Sequence, residues 1–179
     1  MKQIKNIAVF CASSTELDEK YVNNALDLAE FMIEKNMGLV FGGANVGLMK
    51  VVAERIFAAG LPVTGIIPQF FVNRGLASEC SSSIIITATM HERKEKLISL
   101  GDAFVVLPGG FGTLDELLEV ITLNQIGQID KKVVIFDEVN FYDDLLKQFE
   151  FIYKERFATS DEKFYEVARN VEELKKVFL

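Results

Sequence analysis

The segment Pro108-Gly109-Gly110-Phe111-Gly112-Thr113-Leu114-Asp115-Glu116 brings glycines, a hydroxyl and carboxylates together just after the apolar run 103–107. Glycines let a backbone turn sharply and approach a ligand with no Cβ in the way. The free N–H groups at a helix start, with the positive end of the helix dipole, make an anion site. Thr113 is expected both to cap that helix and to offer its hydroxyl to a phosphate oxygen. Glu116, one turn further, either stabilises the helix N-terminus or faces the ligand. A second glycine turn, Gly42-Gly43-Ala44-Asn45-Val46-Gly47-Leu48-Met49, follows the run 39–41. Its spacing is not that of a dinucleotide fingerprint, and the chain has no P-loop GK[ST]. One phosphorylated ligand spanning these loops therefore fits better than a dinucleotide. Ser13-Ser14 forms a third polar loop, for which plain helix capping is the simpler reading. Met90-His91-Glu92-Arg93-Lys94 opens another helix. Adjacent cations there run against the dipole, so Arg93 and Lys94 call for an anionic partner unless they belong to a solvated charged turn.

Apolar runs at 7–11, 39–41, 63–67, 84–87, 103–107 and 133–136 read as strands buried on both faces. Helical patterns lie between them: Val22 to Ile33 at three- and four-residue spacing, a second helix ending near Gly60, then 90–100, 113–126 and 141–154. A short closing helix follows Asn170. Such alternation predicts an α/β fold with a doubly wound, Rossmann-like parallel sheet, forming a single domain over residues 1–179. Ligands of these sheets bind outside the carboxyl ends of the strands, where strand order reverses. The stretch 68–83 is the least regular and reads as a loop.

With 179 residues, half of them hydrophobic and a quarter charged, the chain can bury a real core without disulfide or metal staples. Its formal net charge of −7 argues against nucleic acid and anionic membranes as partners. Cys11 and Cys80 form no CxxC, and His91 is the one histidine, so no metal site is expected. The apolar stretch after Met1–Asn6 ends at Ala12, too short for a membrane span and without a cleavage pattern, which makes the cytoplasm the expected location.

These motifs resemble the Lonely Guy family, the cytokinin-activating phosphoribohydrolases often mislabelled as lysine decarboxylases. The family pattern PGGxGTxxE is matched in full by Pro108 to Glu116, and MHxRK by Met90 to Lys94. YGGGxxGLMG is matched in part: Phe41-Gly42-Gly43 and Gly47-Leu48-Met49 fit, while Ala44 and Lys50 replace glycines. Cys11-Ala12-Ser13-Ser14 resembles FCGSS. Two departures stand out. Gly75 occupies the place of a usual acidic residue, and Thr122-Leu123-Asn124-Gln125-Ile126-Gly127 lacks the tryptophan of TWxQLG.

The resemblance implies hydrolysis of the N-glycosidic bond of AMP, or of N6-modified AMP, to free base and ribose 5-phosphate. It assigns Glu116 as the carboxylate beside a developing oxocarbenium centre. Arg93 becomes an electrostatic and hydrogen-bonding aid to the departing base. Gly109, Gly110, Gly112 and Thr113 would hold the 5′-phosphate, with Ser13, Gly42 and Gly43 lining the same crevice, and Lys94 and Thr122 join the substrate-binding set. No cofactor is implied, and a homodimer is the usual family assembly. Nothing in the chain resembles a pyridoxal phosphate lysine site. The rival is a non-catalytic nucleotide- or cofactor-binding carrier of the same fold, such as the molybdenum-cofactor carriers. The losses at Gly75 and Leu123 predict weak discrimination between AMP and N6-prenylated AMP, and Glu79 is the nearby acid that would replace the missing one.

Overall fold

Seven strands join in one parallel sheet in the computed structural model, which describes residues 4–158 and 162–179. They are β1 (Asn6–Phe10), β2 (Gly38–Phe41), β3 (Val63–Pro68), β4 (Ser83–Thr87), β5 (Ala103–Val106), β6 (Val133–Phe136) and β7 (Glu166–Ala168). The helices between and after them are α1 (Glu19–Glu34), α2 (Gly47–Ala58), α3 (Gln69–Val72), α4 (Met90–Leu100), α5 (Phe111–Gln125), α6 (Asp143–Lys154) and α7 (Val171–Val177). Met1–Gln3, the head of the N-terminal run, lie outside the described residues.

The apolar runs of β1, β2, β5 and β6 are buried because helices cover both faces of the sheet. Along β1, Ile7 and Val9 pack into one core with residues of α1, α2 and α7. Ala8 and Phe10 pack into the other, with α4, α5 and α6. Phe10 stacks on Phe104 there, centroids 5.7 Å apart. Fully burying a side chain of this size contributes about 1.5–3 kcal/mol. Edge strand β4 leaves Ile84 and Ile86 exposed.

The sheet order is β4-β3-β2-β1-β5-β6-β7. The chain steps outward from β1 to β4, then crosses to β5 on the other side of β1, so strand order reverses between β1 and β5. The loops leaving β1, β2 and β5 therefore flank one crevice at the carboxyl edge.

Two elements go beyond the sequence reading. β7 has three residues, too few for a hydrophobic pattern to register. The stretch 68–83 is not plain loop: α3 occupies its start, and its later part is tied to the second glycine turn. Asn45 N–H donates to the Leu76 carbonyl at 2.8 Å, Ser78 N–H to the Gly43 carbonyl at 2.9 Å, and Ala44 bridges Ala77. Among the described residues no helix is long and apolar enough to cross a membrane.

Candidate active site

α4 begins with a variant of the capping box, its glutamate reaching the residue before the N-cap. Thr89 Oγ1 accepts from Glu92 N–H at 3.1 Å, while Glu92 Oε2 accepts from Ala88 N–H at 2.8 Å. This places Arg93 in the second turn of α4, pointing inward, 9% exposed. Its Nη1 donates to Glu116 Oε1 at 2.8 Å and its Nε to the Ile66 carbonyl at 3.1 Å. Glu116 lies in the second turn of α5 and is also buried. Burial raises the pKa of its carboxyl above the usual glutamate value, and the charge and hydrogen bond of Arg93 oppose that rise. The neighbouring Lys94 Nζ lies 3.0 Å from both Asp115 and Glu119. The anionic partners that the cation pair called for are thus carboxylates of α5.

A cavity of about 500 Å³ opens above this pair. Ser13, Gly42, Arg93, Lys94, Gly110, Gly112, Thr113 and Glu116 all line it, so four separated segments converge on one space. Its mouth is apolar, with Phe71, Leu76 and Met90, and with Phe111 at 92% exposure. Both Gly110 and Gly112 face open space, and α5 starts between them with no side-chain cap. Its first-turn N–H groups, without intrahelical acceptors, are oriented for an anion.

Five expectations need correction. Thr113 does not cap α5: it is the third helical residue, buried, with its side chain packed over Gly109. Gly109 lines a smaller, mostly apolar pocket with Tyr21 and Phe141. A Cβ on it would fall 2.6 Å from the Thr113 Cβ, so its glycine character serves the packing of the turn. Gly43 has φ 73° and packs against Ile66 and Ile67 of β3 instead of lining the crevice. Thr122 is nine residues beyond Thr113 on α5, roughly 14 Å along the axis. It is exposed, donates to the Leu118 carbonyl at 2.7 Å, and stays outside the cavity. The capping reading of Ser13-Ser14 also passes elsewhere, because Asp18 caps α1. Gly75 sits in an exposed turn at φ 72°, and Glu79 is exposed outside the lining.

The sequence reading missed a support behind the glycine turn. Asp137, fully buried at the end of β6, accepts from the N–H groups of Phe141 and Tyr142, each at 2.9 Å. Arg169 Nη1 donates to its carboxylate at 2.8 Å. Tyr142, fixed in this way, donates its hydroxyl to the Leu107 carbonyl at 3.0 Å, next to Pro108. The available signal was an acid directly after a buried strand. Cys11, on the cavity floor, has its thiol pushed well above the ordinary value, by burial first and then by the Glu116 charge, against the effect of Arg93. It is therefore a protonated lining group and not a thiolate. Among the described residues no cluster of three or more His, Cys, Asp or Glu could hold a metal ion.

A family model described as possible lysine decarboxylase matches residues 49–178. The cytokinin riboside 5′-monophosphate phosphoribohydrolase LOG2 of Arabidopsis thaliana is 40% identical over 158 residues, covering 88% of this chain and 74% of its own length. The chain belongs to the Lonely Guy family. A second Lonely Guy relative, the cytokinin riboside 5′-monophosphate phosphoribohydrolase LOG1 of the same plant, is 39% identical over 144 residues, 80% of this chain and 68% of its own. Among solved structures, the molybdenum cofactor binding protein of Rippkaea orientalis superposes with a TM-score of 0.70 at 20% identity, covering 99% of this chain and 96% of its own. The Moco carrier protein of Chlamydomonas reinhardtii gives 0.71 at 18%, covering 98% of each. At such identities these two likenesses concern the fold alone.

Proposed function

We propose that this chain hydrolyses the N-glycosidic bond of nucleoside 5′-monophosphates, AMP or its N6-modified forms, to free base and ribose 5-phosphate. The observation that carries the reading is the buried Arg93–Glu116 pair at the floor of a cavity rimmed by an anion-binding helix start. The activity named for the Lonely Guy relatives supports it.

A 5′-phosphate on the N–H groups of Gly110, Gly112 and Thr113, with the Ser13 hydroxyl facing it, directs the ribose towards Glu116. As the C1′–N bond breaks, its electron pair leaves with the base and positive charge develops on the ribose. The Glu116 carboxylate stabilises that charge in a water-poor site, where electrostatic effects are strongest. Water adds to C1′, and the proton it loses balances the one taken up by the departing base. The charge and hydrogen bond of Arg93 favour the ionised form of Glu116, and its remaining N–H groups face the base. The apolar mouth suits the base and any hydrophobic N6 substituent. Leu118 on α5, Ile126 just after it and Leu100 on α4 are exposed, which supports burial against a second copy in a homodimer.

The test is a panel of purine and pyrimidine nucleoside monophosphates incubated with purified protein and assayed for free base. Adenine release from AMP is expected. Tight AMP binding with no base released would instead make the protein a carrier.

A further inference from the structure

Gly42 is not required by its own backbone. Gly43 and Gly47 have φ of 73° and 55°, where glycine is favoured, whereas Gly42 is not among the residues of positive φ. What excludes a side chain at 42 is the guanidinium above it. A Cβ built there would overlap Arg93 Nη2 outright and would fall 3.1 Å from Arg93 Cζ and 2.9 Å from Met49 Sδ.

We infer that Gly42 is a positioning residue whose missing side chain forms the seat of the Arg93 guanidinium, and so fixes the Arg93–Glu116 contact. The guanidinium is held on three sides. Ile66 of β3 accepts from Nε, Glu116 of α5 accepts from Nη1, and the bare Cα of Gly42 leaves room for Nη2. A methyl at 42 cannot be accommodated while both hydrogen bonds are kept. Because the clash is with the end of a long side chain, the fold can yield at small cost, but only by moving Arg93 off its partners. The expected signature is a protein that folds and has lost rate. A shift of about 1 Å in a positioned catalytic group costs on the order of 10²-fold in rate.

The inference rests on the phosphoribohydrolase reading and is tested by four proteins: wild type, Gly42→Ala, Arg93→Lys and the double variant. Lysine carries no atom in the place of Nη2, so it removes the overlap with residue 93, while the contact with the flexible Met49 thioether is common to both backgrounds. With Arg93 retained, Gly42→Ala is expected to lower kcat/KM for AMP by about 10²-fold. In the Arg93→Lys background its effect should stay within about threefold, since coupled residues are non-additive. Equal losses in both backgrounds, as a direct contact of Gly42 with the phosphate would give, overturn it. So does wild-type activity in Gly42→Ala. Absent base release by the wild type would instead refute the reading beneath. The crystal structure of Gly42→Ala decides independently of activity. Arg93 displaced from Ile66 or Glu116 supports the seat, and both hydrogen bonds intact overturn it.

Discussion

Burial pushes the Glu116 carboxyl above the ordinary glutamate value, and the Arg93 guanidinium, through its charge and its hydrogen bond, pulls it back. A carboxylate that must be ionised to stabilise an oxocarbenium gives activity that falls as pH drops through its pKa. The acid limb of kcat/KM for AMP is therefore expected above roughly 4.3, the unperturbed glutamate value. Arg93→Gln removes the lowering influence, so the limb should move to still higher pH while the maximal rate falls. A limb unmoved in Arg93→Gln would show that the two groups are not electrically coupled in the working enzyme. Selectivity is also settled residue by residue. Gly75 offers no carboxylate at the loop next to the cavity mouth, so AMP and N6-prenylated AMP should differ in kcat/KM by less than about 100-fold, or 2.7 kcal/mol. Gly75→Asp is the variant that restores an acid, because aspartate tolerates the left-handed backbone at φ 72° better than glutamate. A wild-type preference beyond that limit would locate the specificity elsewhere.

The glycine turn between β5 and α5 keeps its shape through the element behind it. Tyr142, at the start of α6, ties that helix to the Leu107 carbonyl, and Asp137 with Arg169 holds Tyr142 in place. Tyr142→Phe leaves the packing and deletes the hydroxyl, so the unfolding free energy should fall by about 1 kcal/mol. The KM for AMP should rise more than kcat falls if, as proposed, the turn holds the phosphate and not the reacting bond. Unchanged KM at lowered stability would make the tether a stability feature only. The elements themselves were legible where periodicity is strong. Apolar runs such as Val133–Phe136 lie inside a two-sided core and read directly as strands. β7 and α3 were not legible, because three or four residues carry no period. Of the candidate site, Arg93 drew notice as a cation placed against the helix dipole, the Gly110–Thr113 turn as glycines following a buried strand, and Glu116 through the motif that ends on it. Thr122 misled because a motif position says nothing about which side of α5 it occupies, and Asp137 was hidden because its role depends on a residue 32 positions away.

Across the whole molecule the carboxyl edge carries a second charged device, remote from the cavity floor. Glu138 follows β6 and accepts from Asn24 Nδ2 of α1 at 3.3 Å and from the backbone of Val171 in α7. Burial, then the charge and hydrogen bond of Asp27, push its pKa up to about 7, with Asn24 and Val171 opposing. The folded value lies above the unfolded one, near 4.3. The folded state therefore binds the proton more tightly, and the stability present at low pH is lost as pH rises through about 7. The melting temperature should decline from pH 5 to 8 more steeply in wild type than in Glu138→Gln. Parallel slopes for the two proteins would remove Glu138 from the account. The other charges of the chain are the same in both proteins, so the difference between them isolates this one group.

The central claim is that the buried carboxylate beside Arg93 drives glycosidic cleavage of a nucleotide held by its phosphate. The most direct measurement follows adenine and ribose 5-phosphate formed from AMP by wild type and by Glu116→Gln, with AMP affinity determined for both. Wild type should release the two products in equal amounts, and Glu116→Gln should bind AMP while kcat falls by about 10²-fold or more. Product formation by Glu116→Gln at the wild-type rate would contradict the account.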